Sequence, residues 1–246
     1  MSKLGRAAQA MTVRRLHALW PHLNGMDVLG YGYAIPYLKT YENGAHRIIN
    51  AMSHSQGAAR HCPKRSGTRR GNTSLLVCEH ELPFPPSVFD RVVIAHGLEE
   101  TPNFSVLLEE IWRVLKPEGR VVIIVANRSG LWARSDKTPF GAGRPFSRKQ
   151  LSNALKNAKF VPLVRAGTLY CPPINSICEG RTAQVLESFG ETVWPGFSGL
   201  VLVEAVKRLY AGRGVGDKRR AKQQTFTGSG VLGTPQSGKI ISNSNE

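Results

Sequence analysis

The chain has 246 residues, of which 41% are hydrophobic, and a formal net charge of +16. This length suits one α/β domain with a buried core plus a tail, and the composition excludes a wholly disordered protein. No apolar run approaches the roughly 20 residues that span a bilayer, and the basic first 20 residues lack the apolar centre of a secretory signal. We therefore expect a soluble cytoplasmic protein without a membrane partner.

The first part of the chain predicts one helix and three strands. Arg6–Trp20 has the pattern of an amphipathic helix, and Met26–Leu29 that of a short strand running into the glycine turn Gly30-Tyr31-Gly32. Arg47–Ala51 and Ser74–Cys78 are predicted as the second and third strands. The stretch between these two strands is basic and rich in Gly, Ser and Pro, so we expect a loop that replaces or shortens a crossover helix.

The second part continues the alternation of strands and helices, which favours a parallel sheet covered on both faces. A proline after Lys116 disfavours continued helix, so the helix before it is expected to end there. The predicted elements are strand Phe89–Ala95, helix Phe104–Leu115, strand Arg120–Ala126, helix Ser147–Ala158 with Ser147 as its cap, strand Phe160–Tyr170 and strand Leu200–Val206.

Two basic segments hold much of the positive charge, the stretch 60–70 and the stretch 207–222. One interpretation is a solvated loop and tail, and the other is contact with nucleic acid, although neither segment is interleaved with aromatic residues that stack on bases. Residues 213–246 are rich in Gly, Ser, Thr, Lys and Gln, which predicts one folded domain over 1–212 and a flexible basic tail over 213–246. The four cysteines form no CxxC pair, so no metal site is expected.

The block LPFPPSVFDRVVIAHGLEETPNFSVLLEEIWRVLKPEGRVVIIVANR, residues 82–128, resembles the central half of type 11 methyltransferases of class I. An LPF turn, an FD-hydrophobic strand, a helix and a turn similar to RVLKPGG follow one another in that family's order. The resemblance covers roughly residues 26–165. It implies a Rossmann-like α/β fold with a seven-stranded, mostly parallel sheet, helices on both faces and an antiparallel last strand, and it implies S-adenosylmethionine as cofactor.

The resemblance places the cofactor at the carboxyl ends of the strands, where ligands of open α/β sheets bind. Glycines in the turn after strand one let the main chain approach a ligand, although such a turn also occurs without one. Glu79, after strand three, offers an acceptor for hydroxyl groups, with a solvated loop charge as the alternative. The predicted cofactor-binding residues are Gly30, Gly32, Ala34, Glu79, Leu82 and His96.

The glycine turn departs from the family's pattern. Gly30 stands where the family has an acid, Ala34 where it has its second glycine and Pro36 where it has its third. The end of strand two, Ala51–His54, holds no acid for the ribose.

His96 ends strand four, where the resemblance implies contact with cofactor or substrate, and it is the candidate general base. A purely structural histidine is the alternative. Glu99 and Glu100 follow it and are explained as caps of the next helix dipole.

The connection Asn127–Ser147 is far longer than the roughly 2 to 6 residues usual between a strand and a helix. Long loops at this edge commonly form the substrate wall. Its aromatic residues offer a lining and its arginines offer partners for carboxylate or phosphate, unless the aromatics pin the loop and the arginines face water. The predicted substrate-binding residues are Arg128, Trp132, Arg134, Phe140, Arg144 and Phe146.

These features predict an S-adenosylmethionine-dependent methyltransferase with a small acceptor that is anionic or aromatic. Two other functions stay open. A degenerate binding protein with the same fold is favoured by the altered turn and the missing acid, and an enzyme acting on RNA or another polyanion is favoured by the basic loop and tail.

Overall fold

The computed structural model describes residues 3–54, 57, 59–65, 68–69, 71–135, 140, 143–174, 186–187, 189–190 and 192–209. The strands of this part of the chain are β1 (Asp27–Gly32), β2 (Arg47–Ser53), β3 (Lys64–Arg65), β4 (Thr68–Arg69), β5 (Ser74–Val77), β6 (Phe89–Ala95), β7 (Leu115–Ala126), β8 (Phe160–Thr168) and β9 (Leu200–Lys207).

Seven of these strands form one sheet in the order β5-β2-β1-β6-β7-β9-β8, and β3 pairs with β4 in a separate antiparallel hairpin. The pairs from β5 to β7 are parallel, whereas β9 is antiparallel to both β7 and β8. The predicted mostly parallel sheet with a reversed last strand is confirmed. Strand order reverses between β1 and β6, which is where open sheets of this kind form a crevice for ligands.

Helices cover both faces of the sheet because the strands are apolar on both sides. Helices α1 (Lys3–Leu19) and α2 (Ile35–Leu38) pack on one face, where Leu16 and Leu38 are fully buried. Helices α3 (Phe104–Val114) and α4 (Arg148–Asn157) pack on the other. Ser147 caps α4 in a capping box with Gln150, as predicted from the sequence.

The boundaries of β1 and β7 differ most from the sequence prediction. Strand β1 extends through Gly30 to Gly32, so both glycines lie inside its carboxyl end and the turn follows them. Strand β7 begins at Leu115, directly after α3, and passes the Lys116–Gly119 stretch through a register shift opposite Phe89 and Arg91. The described residues between β2 and β5 contain no helix, in agreement with the prediction, and include the β3–β4 hairpin.

The predicted boundary at residue 212 and the tail 213–246 lie outside the described residues. No helix of the described part is long and apolar enough to cross a membrane.

Candidate functional site

His96 directly follows the carboxyl end of β6, beside the point where strand order reverses. Its backbone has a φ of 52°, a left-handed conformation that non-glycine residues rarely adopt and that is found at functional sites. The imidazole Nδ1 lies 3.2 Å from Glu99 Oε1, and Nε2 lies 3.4 Å from the Tyr37 hydroxyl. Burial raises the pKa of Tyr37, with smaller contributions from Tyr33 and Glu99, so the Tyr37 phenol stays protonated and donates to Nε2. Nδ1 is then the nitrogen that donates to Glu99.

Glu99 is a buried side chain to which the sequence analysis gave only a capping role. Its Oε1 accepts hydrogen bonds from His96 and, at 2.7 Å, from the backbone N–H of Ala126 at the end of β7. Its Oε2 is buried and has no hydrogen-bond partner among the described residues. The expectation that Glu99 caps the next helix is wrong, because α3 begins only at Phe104. The signal available in the sequence was the spacing His96-x-x-Glu99, which a tight turn brings together.

Aromatic rings extend from His96 toward the long connection after β7. The Phe140 ring lies 5.1 Å from the imidazole of His96, centroid to centroid, and Trp132 packs edge-on against Phe140 at 5.7 Å. Trp132 is buried and its indole N–H donates to the Cys171 carbonyl at 2.7 Å. Two of the predicted substrate-binding residues, Phe140 and Trp132, therefore form one row with the candidate base.

The structure does not bring the other predicted substrate residues to this row. Phe146 is buried against Phe104 on the face of the sheet that carries α3 and α4. Arg128, Arg134 and Arg144 are exposed. Their assignment to an anionic substrate stays a prediction, whereas the aromatic part of the wall has a structural counterpart next to His96.

Protein atoms occupy the space beside both predicted glycines. A Cβ on Gly30 would stand 2.7 Å from Asn50 Oδ1 and 2.8 Å from the Cβ of Ala34. Gly32 has a φ of +73°, and a Cβ there would stand 2.5 Å from the Ala95 carbonyl oxygen. Both glycines are thus required by packing between β1, α2 and the end of β6. Their contact with the cofactor, and that of Ala34, stays a prediction.

A carboxylate stands beside the end of β2 although the sequence of that strand has none. Glu79 follows β5, and its Oε1 accepts a hydrogen bond of 2.8 Å from the Ser53 hydroxyl, the last residue of β2. Ribose hydroxyls are donors that such an acceptor binds. Besides Glu79, the buried Oε2 of Glu99, which has no hydrogen-bond partner among the described residues, is an acceptor that a positive charge such as a sulfonium would stabilise. The donor and acceptor set therefore fits S-adenosylmethionine.

Leu82 belongs to a turn that is clamped to α3. Its backbone N–H donates to Glu110 Oε2 at 2.8 Å, and its carbonyl accepts from Arg113 at 2.9 Å. Hydrogen bonds from Arg113 hold the pKa of Glu110 below its usual value, against an opposing contribution from burial, and the Leu82 N–H adds to the lowering. The Leu82 side chain is buried in the core, so any contact of Leu82 with a ligand would be through the main chain.

Comparison with known proteins finds a shared domain in the part of the chain that holds β1 to β7. A family model for the methyltransferase domain matches residues 27–123. The demethylmenaquinone methyltransferase of Lactococcus lactis subsp. lactis is 38% identical over 82 residues, which are 32% of this chain and 32% of that protein. The protein of the same name from Bacillus licheniformis is 48% identical over 44 residues, 18% of this chain and 19% of its own length. The alignments thus span about a third of these relatives or less.

Solved structures with the same fold cover most of the chain. A protein of Thermotoga maritima described as a possible histamine N-methyltransferase superposes with a TM-score of 0.60 at 16% identity, over 83% of this chain and 92% of that one. The [4+2]-cyclase SpnF superposes with a TM-score of 0.53 at 17% identity, over 81% and 80%. The chain is thus similar to the methyltransferase domain over residues 27–123, and its seven-stranded sheet has the fold of S-adenosylmethionine-dependent methyltransferases.

Proposed function

We propose that the chain transfers a methyl group from S-adenosylmethionine to a small aromatic acceptor that carries a ring hydroxyl, of the quinol type. The observation that carries this proposal is the His96–Glu99 pair at the end of β6, flanked by the Phe140 ring and backed by Trp132. An aromatic acceptor stacks on such a row. The partial relatives are named demethylmenaquinone methyltransferases, which supports a quinol ring over an anionic acceptor.

His96 acts as general base in this proposal. Its Nε2 accepts the proton of the acceptor's hydroxyl, displacing the Tyr37 hydroxyl, whose 3.4 Å distance is longer than a strong hydrogen bond. Glu99 holds Nδ1–H and stabilises the imidazolium that forms, which is the role of a carboxylate behind a catalytic histidine. The resulting phenolate donates electron density to its oxygen and to the ring carbons, so either can attack.

S-adenosylmethionine supplies an activated methyl group on a positively charged sulfur. The protein's own contribution is alignment of the acceptor and exclusion of water. Glu79, beside Ser53, is the residue that would hold the ribose hydroxyls. The interpretation as a degenerate binding protein rested on the altered glycine turn and on the missing acid of β2, and Glu79, after the neighbouring strand β5, supports the enzyme instead because it supplies a carboxylate beside the end of β2.

The proposal is tested first by calorimetric titration with S-adenosylmethionine and S-adenosylhomocysteine. We expect saturable binding that Glu79→Ala weakens by about tenfold or more, since a hydrogen bond to a charged group contributes about 1.5–3 kcal/mol. Glu81→Ala, at an exposed neighbour, is the matched control and should leave the affinity unchanged. A folded protein that binds neither compound would refute the proposal.

The acceptor is tested with 1,4-dihydroxynaphthalene under reducing conditions, with the methylated product measured by mass spectrometry. Glu99→Gln should lower kcat by roughly 100-fold with little change in KM, because general base catalysis of this kind contributes about 10² or more. Glu100→Gln, an exposed control, should retain full activity. Cofactor binding without any methylated naphthalene product would rule out the quinol-type acceptor.

A further inference from the structure

Three aromatic side chains among the described residues of the segment 189–197 point into solvent rather than into the core. Trp194 is 60% exposed, Phe197 59% and Phe189 54%. The rings of Phe189 and Trp194 pack edge to face at 6.2 Å, so they form one surface rather than scattered contacts. The Phe197 N–H donates to the Trp194 carbonyl at 3.0 Å, which places Phe197 one turn farther along the same ridge. Large exposed aromatics grouped in this way mark an interaction site.

This aromatic ridge, formed by Phe189, Trp194 and Phe197, is anchored at the same edge of the sheet as the candidate site. Asn127, the residue after β7, donates from its side-chain amide to the carbonyls of Gly196 at 2.9 Å and Ser198 at 2.7 Å. Gly130 lies so close to the Ser198 carbonyl that a Cβ would stand 2.4 Å from it. The half-exposed Leu131 is therefore held next to the ridge and extends its apolar surface.

Basic side chains border the aromatic ridge. Residues 127–149 contain six Arg or Lys residues and one acidic residue, a surplus of five positive charges. Arg148 donates to the Ser198 hydroxyl at 3.3 Å, directly beside the ridge, and Arg128 and Arg144 are exposed. Exposed tryptophan and phenylalanine beside arginines and lysines are the composition of surfaces that sit at a lipid–water interface.

We propose that the aromatic ridge and its basic border form a docking surface for an anionic bilayer. The aromatic rings enter the headgroup region, and the arginines pair with lipid phosphates. This departs from the expectation of no membrane partner, which rested on the missing spanning segment, since a surface contact needs no such segment. We infer that docking gives the site access to an acceptor that resides in lipid. This role rests on the proposed function, whereas the docking itself does not.

The experiment is co-sedimentation of the full chain with vesicles of phosphatidylcholine, with and without about a third of phosphatidylglycerol. We expect binding to the anionic vesicles that Trp194→Ser weakens about tenfold, since burial of a large aromatic contributes roughly 1.5–3 kcal/mol. Leu209→Ser is the matched control, because Leu209 is comparably exposed but follows the far end of β9. Arg144→Glu should also weaken binding, whereas Lys156→Glu, at the other end of α4, should not.

Quenching of tryptophan fluorescence by brominated lipids identifies the contact directly, because Trp20 and Trp132 are buried, Trp112 is half-buried beneath Lys207, and Trp194 is exposed. Quenching that disappears in the Trp194 variant supports the proposal. Absence of vesicle binding overturns it, and so does binding that neither Trp194→Ser nor Arg144→Glu changes, which would assign the contact to the basic tail. Calorimetry with S-adenosylmethionine is independent of these results, so failure of the docking surface and failure of the enzyme proposal are distinguishable.

Discussion

At the scale of single residues, the positive-φ positions Gly32 and His96 meet at the end of β1 and β6. The N–H of Tyr33, directly after Gly32, donates to the Ala95 carbonyl at 2.7 Å, and this same carbonyl fills the space where a side chain on Gly32 would lie. The glycine is therefore needed to bring the two strand ends together and to set His96 in position. A ligand is not required to explain it.

Gly32→Ala should destabilise the protein by about 3 kcal/mol or more, because backbone strain and a clash with a fixed carbonyl add together. Gly25→Ala is the matched control, since Gly25 has a φ of +70° but nothing within 4 Å of the added Cβ. It should lower the free energy of unfolding by only about 1 kcal/mol, the cost of the left-handed backbone. Urea denaturation measures both values, and equal losses in the two variants would contradict this account.

At the scale of secondary-structure elements, the turn Leu82–Phe84 and helix α3 form one unit. Arg113 donates to the carbonyls of Leu82 and Phe84, and Glu110 both accepts from the Leu82 N–H and pairs with Arg113. Glu110 and Arg113, one helical turn apart on α3, thus hold the turn that precedes β6 against the helix that follows β6. The clamp therefore fixes the position of this turn relative to α3.

Glu110→Gln should lower the free energy of unfolding at neutral pH by about 1 kcal/mol, the contribution of a hydrogen-bonded partly exposed pair. The folded-state pKa of Glu110 is depressed, so its stabilisation is present above the ordinary glutamate pKa of about 4.3 and is lost as pH falls through the folded-state value. The difference between wild type and variant should therefore vanish in acid. Glu109→Gln, exposed on the same helix, should show no such pH dependence in denaturant titrations.

At the scale of the whole molecule, a buried polar contact joins the two ends of the described chain. The Trp20 indole N–H, just after α1, donates to Glu204 Oε1 of β9 at 2.8 Å. Arg120 of β7 pairs with the same oxygen at 3.0 Å, and Arg91 of β6 lies over the Trp20 ring. This cluster lies at the edge of the sheet opposite His96, so it fixes the fold without forming part of the site.

Glu204→Ala should lower the free energy of unfolding by about 2–3 kcal/mol, because it leaves the indole N–H buried without an acceptor and removes the partner of Arg120. Glu204→Gln keeps an acceptor and should cost less. Thermal unfolding of both variants, with the exposed Glu100→Ala as control, measures the difference. A loss no greater than that of the control would show that the cluster does not tie the chain ends together.

The sequence by itself predicted the order of helices and strands, because the spacing of apolar residues and the positions of turn residues are local properties of the chain. Strand β6 and the cap at Ser147 lie where the pattern placed them, and the reversed last strand followed from the family resemblance. The start of β7 and the end of β1 were misplaced, since a strand through Pro117 or Gly30 depends on the neighbouring strand that pairs with it.

The tertiary structure alone decided which side chains form the site. Glu79 reaches Ser53 from a different strand, and Glu99 turns inward to His96 and Ala126, contacts between segments that lie apart in the chain. Phe140 and Trp132 join this site whereas Phe146, from the same loop, enters the core. Polar residues at strand ends predict that a functional site lies near them. The direction of each side chain, however, is set by packing across the sheet, which a local sequence pattern does not contain.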